Sequence, residues 1–151
     1  MRKIILSFLL ALVFGVVACG VWFMSLIVAT GSSSAIETGL FWASGILFAS
    51  GAGVLLGLVS SQLIFVPVCL GWMLSILTSP AIMSFTNDAQ ESETADNILL
   101  IALLAAFVAF GVWGTFIGVK LKKSRDYRHL KVYAIATVLT TAIFVTLISL
   151  T

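Results

Sequence analysis

The sequence predicts an all-α polytopic membrane protein with five transmembrane helices, N-terminus inside and C-terminus outside. Two observations carry this. The eight Lys or Arg and six Asp or Glu all fall outside four long apolar blocks, at about 4–30, 40–85, 98–119 and 132–150. A charged side chain at the bilayer centre costs about 2.5 kcal/mol or more, so lipid imposes such an exclusion. The charges are also segregated by sign from one connection to the next. Composition agrees: hydrophobic residues make up 61 % and charged residues 9 %, with mean hydropathy +1.21, where soluble domains carry roughly 25 % charged residues. The 151 residues form a single transmembrane helical domain.

A helix rises about 1.5 Å per residue and the hydrocarbon core is about 30 Å thick, so one crossing takes about 20 residues. The first span, 4–30, is somewhat long and should tilt or run past the interface. The block 40–85 is too long for one helix. It divides at Ser60-Ser61-Gln62, its only polar triplet, into spans 40–59 and 63–85. Pro67 then lies in an early turn of the third span, where proline is tolerated. Segments 98–119 and 132–150 each fit one crossing.

Charge fixes the parity of this count. Arg2 and Lys3 open the chain, and Lys120, Lys122, Lys123, Arg125, Arg128 and Lys131, with one acid, Asp126, join the last two spans. Asp88, Glu91, Glu93 and Asp96 cluster before the fourth span, and Glu37 precedes the second. Five crossings put both basic segments in the cytoplasm and both acidic ones outside, as the positive-inside rule requires. One crossing by 40–85 would reverse the basic loop. A re-entrant hairpin has the same parity as two spans, so length is what favours two full crossings.

Met1-Arg2-Lys3 and the following apolar run resemble a signal peptide, and Val16-Val17-Ala18-Cys19 resembles a lipobox. The residues after Cys19 stay apolar, so an uncleaved signal-anchor helix is expected. Cys19 and Cys69 have no metal-type spacing and read as small packing residues.

The most specific pattern is Gly45, Ala49, Gly53 and Gly57 in the second span. Positions four apart share a helix face, so these four carve a groove about three turns long for close helix contact. The partner helix can come from this chain, a copy or another subunit. Ala102, Ala106, Gly114 and Gly118 repeat the pattern more weakly in the fourth span. Ala11, Gly15 and Cys19 do so in the first, and Thr137 and Thr141 share a face of the fifth. Trp22, Trp42, Trp113, Tyr127 and Tyr133, near span ends, read as interfacial anchors; Trp72 lies deeper and is either packed or facing lipid.

The acidic cluster lacks the ligand spacing of a calcium loop, and Asp96-Asn97 suits a helix N-terminus. A solvated cap and topology signal is the expected role. The cations Lys120, Lys122, Lys123, Arg125, Arg128 and Lys131 are expected to contact anionic lipids; a loop this short between spans argues against nucleic acid. His129 is the only histidine, so bis-His haem ligation is excluded. No Ser/His/Asp set, HExxH, CxxC or P-loop occurs, and no catalytic residue, cofactor or metal site is assigned. Without ionisable groups inside its spans the chain is a poor candidate for a pump or proton-coupled carrier. The expectation is a non-catalytic subunit that packs into and stabilises a larger membrane complex, through Gly45, Ala49, Gly53 and Gly57, in a bacterial inner membrane. A small oligomeric passive channel is the alternative, since pores can be lined by hydroxyls and carbonyls. A membrane enzyme or lipid-handling protein ranks third.

Overall fold

The computed structural model describes residues 1–29, 35–60, 62–78, 94–125 and 127–150. Among these residues the chain forms five helices and no strand: α1 (Arg2–Ala29), α2 (Ala35–Val59), α3 (Phe65–Leu77), α4 (Thr94–Ser124) and α5 (Arg128–Leu150). Four of them contain stretches long and apolar enough to cross a membrane: Arg2–Met24, Gly39–Val59, Ile98–Ser124 and Arg128–Leu150.

The break between α2 and α3 falls at the Ser60–Gln62 triplet. There α2 ends at Val59, and Pro67 is the third residue of α3. Its missing N–H is one that a helix start leaves unpaired in any case. The third element is shorter than the span 63–85 expected from hydropathy. It has 13 residues, about 20 Å of helix, and ends with Thr78 as its C-cap. The Thr78 hydroxyl donates to the carbonyls of Leu74 and Ser75, and Pro80 follows two residues later, a residue that cannot prolong a helix. The remainder of that span, 79–85, lies outside the described residues. At the other junction the helices are longer than expected. α4 runs on to Ser124 and α5 begins at Arg128, so most of the basic connection is helical. Arg125 ends α4 in the left-handed region (φ 51°), with its N–H on the Leu121 carbonyl, the usual geometry of a helix stop.

The helices alternate in direction. Gly15 of α1 faces Ser75 of α3, Gly71 of α3 faces Ala11 and Phe8, and the Ile64 N–H donates to Ser7 Oγ at 3.1 Å, so α1 and α3 run parallel. Gly53 and Gly57 of α2 face Gly111 and Thr115–Val119 of α4 in rising order, so these two are parallel as well. Tyr133 of α5 meets Gly114 and Gly39 of α2 meets Ser149, which sets α5 antiparallel to both. One consequence is a bundle with a basic end. The starts of α1, α3 and α5 and the ends of α2 and α4 gather there, together with all eight Lys and Arg. Glu37 and the start of α4 lie at the opposite end.

The core is aromatic at its centre. Trp72 and Phe107 are fully buried, with ring centroids 5.9 Å apart, and Trp22 meets Phe107 at 5.9 Å and Trp42 at 5.7 Å. Trp72 is therefore packed, not lipid-facing. Trp22 and Tyr133, expected as interfacial anchors, are buried too, each 3 % exposed. Their polar atoms find partners inside: the Trp22 indole donates to the Phe41 carbonyl at 3.0 Å and the Tyr133 hydroxyl to the Phe110 carbonyl at 2.6 Å. Trp113 and Tyr127 do project outward, and Trp42 is half-buried.

Candidate functional site

The four small residues of α2 lie on one buried face, and that face is filled by the chain's own helices. A methyl group on Gly45 would come within 2.8 Å of the Trp22 ring. One on Gly53 would strike the Gly111 carbonyl, and one on Gly57 the Thr115 carbonyl and Val119 N–H. Ala49 is fully buried between them. In lipid no hydrophobic force drives helices together, so association depends on close van der Waals contact, which missing side chains permit. The groove is thus filled by α1 and α4 of this chain, one of the three kinds of partner that its spacing leaves open.

The complementary face on α4 is Gly111, Gly114, Thr115 and Gly118. A Cβ on Gly118 would meet the Val54 carbonyl, one on Gly114 the Tyr133 hydroxyl at 2.5 Å, and one on Gly111 the Trp72 ring at 2.6 Å. Of the expected series Ala102, Ala106, Gly114 and Gly118, only the two glycines belong to this face. A strict four-residue step misses Gly111 and Thr115. The step of three and four that follows one helix stripe recovers them.

Hydroxyls at membrane depth are committed internally. Thr115 donates to the Gly111 carbonyl at 2.8 Å and accepts the Trp72 indole N–H at 3.4 Å. Ser75 donates to the Trp72 carbonyl, Thr137 to Tyr133 and Thr141 to Thr137. Among the described residues no buried side-chain polar atom lacks a partner. Cys19 is buried in α1 and Cys69 half-buried in α3, with no disulfide between them.

At the basic end the six cations from Lys120 to Lys131 are exposed, but they are not equivalent. Lys122 Nζ donates to the Val59 carbonyl at 2.9 Å and so closes the C-terminus of α2, where the helix dipole favours a cation. Lys120 Nζ donates to His129 Nε2 at 2.6 Å, tying α4 to α5. Lys123 makes no hydrogen bond or ion pair among the described residues. The acids Asp88, Glu91 and Glu93 lie outside the described residues.

One large concavity opens sideways between α3 and α4. It has a volume of about 760 Å³ and is walled by Phe65, Cys69, Met73, Ala105, Val112 and Phe116, among others. Trp72 is not part of this lining; its ring packs over Gly111 of α4.

The fold and these surfaces define an all-helical integral membrane protein. Comparison of the chain with protein-family models, with curated proteins and with solved structures found no match.

Proposed function

We propose that the chain is a non-catalytic integral membrane subunit that packs into and stabilises a larger membrane protein complex. The observation that carries this reading is the internal commitment of the bundle's buried hydroxyls to its own carbonyls. Polar groups so placed hold helices together and leave little to grip a solute or activate a nucleophile. The surface offered to the partner is the outward side of α2. Leu47, Leu55 and Leu58 are exposed there around Gly51, at which a methyl group would meet nothing within 4 Å. A glycine that the chain's own packing does not need lets a foreign helix approach closely. In this reading the chain crosses five times, with the basic end in the cytoplasm of a bacterial inner membrane.

Affinity purification in mild detergent, with co-purifying polypeptides identified, is the test. Gly51→Leu should lose the partner while keeping the thermal midpoint of the isolated chain. Gly53→Leu should lose the fold itself. A chain that purifies alone from its native membrane and carries ions or solutes across liposomes would replace this reading with the passive channel. Cysteine probes at Ser92 and Ser124 should label from opposite sides, and labelling from one side would refute five crossings.

A further inference from the structure

We propose that the groove between α3 and α4 holds an acyl chain of an acidic phospholipid from the leaflet at the basic end, with Lys123 and Lys120 holding the headgroup phosphate. The inference needs only that the bundle sits in a bilayer; it does not rest on the subunit reading.

Three features of the groove point to this occupant. Its first feature is length: the α3 wall from Phe65 to Leu77 rises about 18 Å, against about 15 Å for one leaflet of a 30 Å hydrocarbon core. Its second is chemistry. The walls are aliphatic and aromatic, and Ala105 and Ala109 open the floor on α4. The third is charge. The stripe of α4 that lines the groove runs Ala105, Val112, Phe116, and continues on the same face to Lys120 and Lys123, four and seven residues beyond Phe116. The deep end of the groove is thus apolar and its mouth cationic, which is the polarity of an anionic lipid standing in that leaflet. Lys122, on another face, is engaged by Val59. Lys120 gives one of its three ammonium hydrogens to His129, while the Lys123 ammonium gives none to a described residue. Both aliphatic stems can lie along the groove mouth with the charge at headgroup level.

Trp113 lines the same groove and is 41 % exposed, whereas Trp22 and Trp72 are buried, so its fluorescence reports on the occupant. The full chain is reconstituted in phosphatidylcholine vesicles containing brominated-chain phosphatidylglycerol or, in parallel, brominated-chain phosphatidylcholine. The difference between wild type and Trp113→Phe isolates the Trp113 signal. Half-maximal quenching should need at least fivefold less of the acidic lipid. Lys123→Gln should reduce that preference about fivefold, the factor that roughly 1 kcal/mol per cation implies. Ala105→Phe, which fills the groove and leaves both lysines, should abolish it. Equal quenching by both lipids would overturn the headgroup assignment. Preference surviving in Ala105→Phe would reduce it to diffuse surface attraction and overturn the groove. Failure of either lipid to quench Trp113 would mean that protein fills the groove, either residues 79–93 of this chain or a partner helix.

Discussion

Replacing Gly57 by alanine adds one methyl group to a helix in which alanine is otherwise the better residue. On propensity alone the change should stabilise by about 0.8 kcal/mol. The structure reverses the sign. The new Cβ would overlap the Thr115 carbonyl and lie 2.6 Å from the Val119 nitrogen and 2.8 Å from the Gly118 Cα. All three are backbone atoms, so no side chain can turn aside, and α2 and α4 must separate by about 1 Å to restore ordinary contact. A gap of that size forfeits a quarter to a half of each contact worth 0.1–0.2 kcal/mol, which over a few tens of atom pairs comes to about 2 kcal/mol. Gly51→Ala is the control, because nothing lies within 4 Å of its added methyl. It should gain the propensity term, or nothing. The expected separation between the two variants is about 2–3 kcal/mol. Far-UV circular dichroism during unfolding in mixed dodecyl sulfate micelles measures it. If Gly57→Ala unfolds with Gly51→Ala, the α2–α4 contact is wrong, and the parallel arrangement of these helices falls with it.

The remaining predictions are tied to single contacts. Ser7→Ala removes the acceptor of the Ile64 N–H at the start of α3, so it should cost about 1 kcal/mol and hasten hydrogen exchange at Ile64 more than at amides within α2. Tyr133→Phe deletes the hydroxyl that ties α5 to the Phe110 carbonyl; a loss of about 0.6–1.5 kcal/mol is expected in the same unfolding assay. Trp72→Ala empties the centre of the core and should cost about 3–5 kcal/mol, with the near-ultraviolet dichroism of the Trp22–Phe107 cluster lost before helicity.

Much of this architecture is legible in the order of residues. Exclusion of charge marks the spans because lipid penalises it at every position. Ser60–Gln62 marks the break in the long apolar block because little else polar occurs within it. The face of α2 is legible as a contact face for the same reason: a glycine or alanine at every fourth position has no use on a lipid-facing helix. What could not be read is the identity of the partner, since a groove of glycines admits any backbone. The aromatic positions also misled. Trp22 and Tyr133 lie near span ends, where aromatic anchors belong. What keeps them inside is a space that another helix leaves open, at Gly45 for Trp22 and at Gly114 for Tyr133. That complementarity joins residues at least 19 positions apart in the chain, beyond the reach of a helical repeat. The short third element has a local signal after all, the Ser79-Pro80 step that follows Thr78; hydropathy alone overrides it.

The bundle has tight interfaces, that of α2 with α4 among them, and a loose one between α3 and α4, and both kinds follow from its solvent. In water an open apolar groove beside α4 would be driven shut, because apolar surface there costs roughly 25 cal/mol per Å². In hydrocarbon the same surface costs nothing to leave to a lipid chain, so only contacts closer than lipid can make will bind helices together. Glycine at Gly53, Gly57 and Gly118 supplies such contacts between α2 and α4. Between α3 and α4 an apolar groove remains. Tolerance to substitution should divide along the same line. Ala109→Leu, which only displaces whatever fills the groove, should leave stability within about 0.5 kcal/mol of wild type, whereas a side chain added at Gly53, Gly57 or Gly118 is destabilising. A large loss from Ala109→Leu would show that α3 closes onto α4, and the groove would then have no room for a lipid chain.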